Sequence, residues 1–124
     1  MEKFYICKEC GNIVGMVEAK CPSISCCGQK MQPLVANTVE ASREKHLPVV
    51  EIEGNLVKVS VGSVFHPMVE AHNIGWVYLQ TDKGGHRKSL GANVDPVVTF
   101  ALADEKPVAV YAYCNLHGLW KTEL

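Results

Sequence analysis

Alternating apolar and polar positions predict strands in the last two thirds of the chain. Leu56–Val61 alternates with a period of two residues, as a half-buried strand does. It follows residues 49–53 across Gly54-Asn55, a two-residue connection typical of a β-hairpin. The same signals predict further strands at Ile74–Thr81, 97–102 and 108–113, and a short edge strand at 86–90. We find no segment with the period and the caps of an amphipathic helix.

These strands indicate two domains of different kinds. Residues 37–124 contain about seven predicted strands, which favours an antiparallel β-sandwich of the immunoglobulin type. Residues 1–36 are poor in apolar side chains but contain five of the six cysteines. A segment shorter than about 40 residues usually needs a metal, disulfides or a partner chain to fold. We therefore expect a mainly β protein with a small metal-binding domain at 1–36 and a sandwich at 37–124.

Composition and charge exclude several classes of protein. The chain has 124 residues, 48% of them hydrophobic and 20% charged, which is typical of a folded domain. Twelve basic against thirteen acidic residues give a net charge of −1, so the basic surface of a nucleic-acid-binding protein is missing. The sequence shows neither an apolar run of about 20 residues that would span a bilayer nor a signal peptide. We expect a cytoplasmic protein, whose clustered cysteines bind a metal more often than they form disulfides.

The N-terminal cysteines have the spacing of a metal site. Cys7 and Cys10 form a C-x-x-C turn, and Cys26 and Cys27 follow as an adjacent pair. Adjacent side chains on an extended strand point to opposite faces, so both sulfurs reach one ion only if the backbone turns there, as Gly28 allows. Four thiolates suit zinc or a single iron. A zinc ribbon that only stabilises the fold and a pair of disulfides are the alternatives. The remaining thiol, Cys21, is expected to be a bystander in a surface loop.

A second group of possible ligands lies in the sandwich. It consists of four imidazoles and one thiolate, each in a turn-like segment beside a strand end: His46, His66, His72, Cys114 and His117. Pro67 argues against a helix between His66 and His72, so we expect a loop that curls around an ion. Five nitrogen and sulfur donors exceed the four of a structural zinc site and suit a six-coordinate iron with one open position. His86 has no such neighbours and is interpreted as a solvated residue.

Two charged residues precede the first histidine. Glu44 and Lys45 are most simply an exposed pair of opposite charges. A lysine beside an open iron position would also attract an anion, and a glutamate there could serve as a temporary ligand. Spacing alone does not decide between these interpretations.

The order and spacing of these motifs resemble desulfoferrodoxin, the two-iron form of superoxide reductase. The resemblance rests on C-x-x-C followed by C-C-G, on E-K-H-x-P, on V-G-S-x-x-H-P-M, and on Y-C-N-L-H-G-x-W near the C-terminus. It implies a desulforedoxin-like domain with iron on Cys7, Cys10, Cys26 and Cys27. It also implies a catalytic iron with His46, His66, His72 and His117 as equatorial ligands and Cys114 as the axial one, with Glu44 as a mobile carboxylate and Lys45 as a cation beside the site.

The function implied by the resemblance is one-electron reduction of superoxide to hydrogen peroxide. An external donor such as rubredoxin would return the electron, the chain would form a homodimer, and the first iron would either relay electrons or be structural. We also expect the amides of Leu116 and His117 to donate to the Cys114 sulfur. The main alternative is a rubredoxin-like electron carrier without an open iron position. A zinc-stabilised binding module, a non-haem oxygenase and a superoxide dismutase are further alternatives.

Overall fold

The computed structural model describes residues 3–20 and 23–124, so Cys21 lies outside the described residues. The chain forms two compact units, Met1–Val35 and Ala36–Leu124. Short antiparallel strands dominate both units, which confirms the mainly β class. Within the described ranges, no helix has the length and apolar character needed to cross a membrane.

The first unit has two very small sheets and little core. Its strands are β1 (Phe4–Ile6), β2 (Ile13–Gly15), β3 (Ser25–Cys26), β4 (Gln29–Lys30) and β5 (Gln32–Pro33). β1 is the centre of a three-stranded sheet between β2 and β5, while β3 and β4 form a separate hairpin. Its buried apolar side chains, among the described residues, are those of Phe4, Cys7 and Met31. So small a core cannot by itself offset the chain entropy lost on folding.

The second unit is a sandwich of two antiparallel sheets, as expected for the immunoglobulin type. Its elements are α1 (Arg43–His46), β6 (Pro48–Glu53), β7 (Leu56–Val61), β8 (Ile74–Thr81), β9 (Gly84–Ser89), β10 (Val97–Ala101), β11 (Pro107–Cys114) and β12 (Gly118–Glu123). One sheet has the order β10-β7-β6 and the other β12-β11-β8-β9. The apolar faces of both sheets form one core, which includes Val59 and Phe100 from the first sheet and Leu79, Ala112 and Cys114 from the second.

The strongest sequence patterns correspond to strands in the structure. Val57, Val59 and Val61 of β7 are fully buried and alternate with more exposed residues. β6 and β7 form the predicted hairpin, with Glu53 opposite Leu56 and Gly54 at a φ of 61°. That positive φ is readily adopted by glycine, which explains the choice of residue in the turn.

Two elements of the second unit were not predicted, and neither were the short strands of the first unit. α1 has only four residues, too few for a helical period to be visible in the sequence. β12 escapes the period-two test because its adjacent residues Leu119 and Trp120 are both buried. The edge strand β9 begins and ends slightly earlier than predicted.

An irregularity in the second sheet lies next to the histidine loops. Tyr113 pairs with Trp76, but the next residue, Cys114, pairs with Ile74, so Gly75 is passed over. Such a bulge bends the strand locally and redirects the side chains that follow. The bulge lies where β8 begins and β11 ends. His72 lies just before this end of β8, and Cys114 is the last residue of β11.

Candidate metal centres

Four of the N-terminal cysteines converge in the first unit. The ligand atoms of Cys7, Cys10, Cys26 and Cys27 all lie within 4.8 Å of one another. The Sγ atom of Cys26 is 3.7 Å from that of Cys10 and 3.9 Å from that of Cys27. Two sulfurs bound to one ion at about 2.3 Å in tetrahedral geometry lie about 3.8 Å apart, so these two distances suit a single metal ion.

The adjacent pair of cysteines reaches one point because the backbone turns between β3 and β4. Cys26 pairs with Gln29 across a two-residue connection, in which Cys27 has a φ of 54° and Gly28 a φ of 71°. Two positive φ values are the signature of a tight hairpin turn, and only Gly28 adopts one without steric cost. The turn expected from the sequence is therefore present.

The sulfurs of this cluster favour a bound cation. The backbone amide of Cys10 donates to the Cys7 thiolate and is the main reason that the pKa of Cys7 falls to about 7. Hydrogen bonds with neighbouring cysteine sulfurs, that of Cys10 foremost, favour the protonated thiol of Cys27 and raise its pKa to about 12. The Cys7 thiolate thus forms readily, while Cys27 resists ionisation unless a cation offsets the repulsion. The donor set fits zinc or iron.

The second cluster lies at one end of the sandwich. The ligand atoms of His46, His72, Cys114 and His117 lie within 4.8 Å of one another. The His66 ring is adjacent, with its centroid 4.6 Å from that of His46 and 4.5 Å from that of His72. Nε2 of His46 is 3.1 Å from Nδ1 of His117, which in turn lies 3.8 Å from the Cys114 sulfur. The structure therefore brings together all five ligands proposed from the sequence.

The hydrogen bonds of two buried histidines decide which ring nitrogen is free. Nδ1 of His46 donates to the Ser42 carbonyl at 2.6 Å, and Nδ1 of His66 donates to the Pro67 carbonyl at 2.7 Å. Because a carbonyl only accepts, each proton lies on Nδ1, and each Nε2 has a free lone pair. Nε2 of His66 and Nε2 of His72 are buried without a hydrogen-bond partner among the described residues. A metal ion would satisfy these atoms, which cost free energy if left bare.

Burial also keeps these rings neutral. Desolvation lowers the pKa of His66 to about 4 and also lowers the pKa values of His46 and His72. At neutral pH the imidazoles are therefore unprotonated, as metal ligands must be. The residues of this cluster therefore fit a bound ion: neutral nitrogen donors, a buried sulfur and unpartnered lone pairs face one another, and five such donors suit iron.

The turn after β11 fixes the sulfur of Cys114. Cys114 is fully buried in the sandwich core, and the backbone amide of His117 donates to its Sγ at 3.4 Å. This hydrogen bond confirms one of the two amides expected to donate. A donor to a thiolate withdraws electron density from the sulfur and tunes the potential of the bound metal.

A close backbone contact holds α1 beside the loop before His66. The amide of Val64 and the hydroxyl of Ser63 both donate to the Glu44 carbonyl, at 3.0 and 3.2 Å. A Cβ atom on Gly62 would lie 2.5 Å from that same carbonyl oxygen. Glycine at this position therefore allows α1, and with it His46, to approach the loop. The motif predicted the histidines but did not reveal this role of Gly62.

Two charged residues of α1, Glu44 and Lys45, lie directly before His46. Glu44 is exposed and Lys45 is half-buried. Neither side chain forms a hydrogen bond or ion pair with the described residues. Burial is the main reason that the pKa of His46 is lowered, and the neighbouring imidazoles and the positive charge of Lys45 lower it further. The charge of Lys45 therefore acts at the site.

Comparisons with known proteins agree with this geometry. The family model described as Desulfoferrodoxin matches residues 38–123. The chain belongs to the desulfoferrodoxin family. A desulfoferrodoxin homologue from Archaeoglobus fulgidus is 45% identical over 118 residues, covering 95% of this chain and 94% of the relative.

Two solved structures extend the comparison. The superoxide reductase from Treponema pallidum superposes with a TM-score of 0.85 at 40% identity and covers 99% of both chains. A one-iron superoxide reductase from Giardia intestinalis is similar at a TM-score of 0.55 and 33% identity, covering 65% of this chain and 99% of its own. The two ligand groups of this chain are compatible with the two iron sites of a desulfoferrodoxin.

Proposed function

We propose that this protein is a superoxide reductase, which reduces superoxide by one electron to hydrogen peroxide. The observation that carries the proposal is the convergence of imidazoles and one thiolate, with two buried lone pairs that lack a partner. Five donors leave one of six positions at an iron for a small ligand. Similarity to the superoxide reductase from Treponema pallidum over 99% of both chains supports the same activity here.

We assign each ligand group to one domain. Residues 1–36 would form a desulforedoxin-like iron domain with Cys7, Cys10, Cys26 and Cys27 as ligands, and residues 37–124 the catalytic sandwich. The catalytic iron would have His46, His66, His72, Cys114 and His117 as ligands. When bound there, iron supplies the single electron, and the thiolate tunes its potential.

The residues of α1 have complementary roles in this proposal. Superoxide is a small anion, and the half-buried Lys45 gives it a positive target on a protein of net charge −1. Lys45 also orders water from which protons reach the reduced product. The exposed Glu44 would take the open position after peroxide leaves, which protects the ferric centre from other anions.

Turnover needs an external electron donor, for which we propose a small redox protein such as rubredoxin. Exposed apolar side chains of Phe65 and Leu116 lie in the segments that carry the ligands, and they offer a contact surface for such a donor. Family membership supports assembly as a homodimer. Thiols without disulfide bonds throughout the described residues support a reducing compartment, the cytoplasm.

The activity is tested by mixing the ferrous protein with a pulse of superoxide. A reductase consumes one electron for each peroxide formed and releases no dioxygen. Dioxygen in a stoichiometric amount would instead identify a dismutase. If the ferrous protein did not react with superoxide, the result would favour the alternative function, that of an electron carrier. The zinc-substituted protein is the control, since zinc has no redox chemistry.

The role of Lys45 is tested by comparison with a second lysine. Lys45→Ala should slow the reaction with superoxide at low ionic strength, and the difference should shrink as salt screens the charge. Lys58→Ala removes the same charge from an exposed position on β7 and should leave the rate unchanged. Equal rates for both variants across ionic strength would contradict attraction by Lys45.

The role of Glu44 is tested separately. Glu44→Ala should keep the rate of encounter with superoxide but make the ferric spectrum sensitive to added azide.

A further inference from the structure

One asparagine side chain joins the two segments that carry three of the proposed ligands. Asn115 lies directly after Cys114 and two residues before His117. Its Oδ1 accepts a hydrogen bond from the Asn73 amide at 2.9 Å, and its Nδ2 donates to the Ala71 carbonyl at 3.0 Å. These two groups belong to the peptide bonds on either side of His72. A single side chain therefore holds both peptides that flank this histidine.

The backbone reinforces the same junction. The Asn115 amide donates to the Asn73 carbonyl at 3.3 Å. Within the loop, Nδ2 of Asn73 donates to the carbonyls of Val69 and Glu70 at 2.9 and 3.3 Å, and Val69 and His72 exchange backbone hydrogen bonds. The loop is thus closed on itself and fastened to the turn after β11 through Asn115.

The half-buried His72 depends on its backbone for orientation more than the buried His46 and His66 do. The rings of His46 and His66 are each fixed by a backbone carbonyl that accepts from Nδ1. Among residues 3–20 and 23–124, no protein group forms a hydrogen bond with the His72 ring, and its Nε2 is buried without a partner. The orientation of a ligating imidazole is ordinarily fixed by a hydrogen bond to its second nitrogen. For His72 the backbone must do this work instead.

We propose that Asn115 is a positioning residue that holds His72 in register with Cys114 and His117 for metal binding. The inference rests on the ligand assignment made under the proposed function. Losing the groups that orient a metal ligand typically weakens metal affinity about 10- to 100-fold. We expect Asn115→Ala and Asn115→Asp each to weaken one class of metal site by about tenfold or more.

The sandwich contains a matched control. Asn37 makes the same two kinds of contact elsewhere in this unit: its Nδ2 donates to the Lys121 carbonyl at 3.1 Å, and its Oδ1 accepts from the Lys121 amide at 2.9 Å. Asn37→Asp and Asn115→Asp each delete one donor and keep one acceptor. Aspartate also tolerates the φ of 62° at position 37, so the control adds no backbone strain of its own.

The test is zinc affinity of the full chain, measured by chelator competition, which does not depend on superoxide chemistry. The parent should show two classes of site. The Asn115 variants should have a lower zinc affinity at the histidine site only, and Asn37→Asp should have the zinc affinity of the parent at both sites. The visible absorption of the ferric protein should change in the Asn115 variants alone. If Asn115→Ala fails to fold, Asn115→Asp decides the matter.

Two outcomes would overturn the proposal. Unchanged zinc affinity in folded Asn115→Asp would show that His72 needs no such support. An equal loss of affinity in Asn37→Asp, at an equal drop in melting temperature, would show a general effect of stability. A parent with one class of zinc site would contradict the ligand assignment itself, and so separates the failure of that assignment from the failure of the role given to Asn115.

Discussion

The two ligand clusters are built in opposite ways. In the first unit Cys10 and Cys27 are exposed, and the described apolar core includes little beyond Phe4 and Met31. In the sandwich His46 and Cys114 are buried at the edge of a continuous core shared by both sheets. The first cluster has almost no fold beneath it, whereas the second is held by strands, turns and a bulge.

This difference indicates, for each unit, whether the fold depends on the metal ion or the metal ion depends on the fold. A structural metal in a small domain supplies much of its folding free energy, about 10–16 kcal/mol for zinc in zinc-finger peptides. We therefore expect the first unit to need its ion to fold. The sandwich has a continuous core shared by both sheets, so we expect it to fold without a metal and to place neutral imidazoles where an ion can bind.

Removing one ligand from each centre tests this directly and gives the largest expected effect. Cys27→Ser should unfold the first unit, because three thiolates bind the ion too weakly to offset its chain entropy. Cys114→Ser should leave the sandwich folded while its iron is lost. Hydrogen exchange followed along the chain by mass spectrometry, with iron content measured in parallel, reports both units in one sample. Protection retained by the first unit in Cys27→Ser without iron would contradict the comparison.

A defect in the sandwich core should have the converse effect. Phe100 is 2% exposed and packs in the core shared by both sheets, so Phe100→Ala should cost about 3–5 kcal/mol. We expect a lower melting temperature and loss of iron from the histidine centre, with the cysteine centre retained. Phe100→Leu leaves a smaller cavity and should lie between the parent and the alanine variant. Equal iron loss from both centres would show that they are not independent.

The sequence predicted the parts of this arrangement that rest on local pattern. Period-two alternation located β7 and β8, and ligand chemistry and spacing identified the cysteines and histidines that converge. It did not reveal α1, whose single turn has no period, or the bulge at Gly75, which exists only in the pairing of β8 with β11. The junction at Asn115 also escaped, because its partners are backbone groups 42 and 44 positions away. Contacts of this kind leave no mark on local composition.

A change of one methyl group sharpens the comparison at the histidine centre. The new Cβ of Gly62→Ala would collide with the Glu44 carbonyl and push α1, which carries His46, away from the loop. Overpacking of this kind costs about 1–3 kcal/mol. We expect iron loss from this centre that is out of proportion to the fall in melting temperature. Gly91→Ala, where the new atom has no neighbour within 4 Å, should change neither quantity.

The smallest effect is expected at the other end of β8, far along the strand from Ile74. The Thr81 hydroxyl and then Nε2 of His86 donate to the Glu105 carboxylate, at 2.5 and 3.0 Å, and they hold its pKa below the ordinary 4.5. A carboxyl whose pKa is lower in the folded than in the unfolded state stabilises the fold above the unfolded value. That contribution is lost as the pH falls through the folded value.

Glu105→Gln should therefore lower the melting temperature modestly at pH 6, and the difference from the parent should shrink as the pH falls below about 4.5. Acid also protonates the metal ligands, but it does so in both proteins, so the difference between the two melting curves isolates Glu105. Glu53→Gln changes an exposed carboxylate and should have the melting temperature of the parent at pH 6. Iron content should be equal in all three proteins, because this network stabilises the sandwich without contacting either ligand cluster. A Glu105→Gln variant that lost iron at pH 6 would show that the histidine centre depends on the whole sandwich, down to its far end.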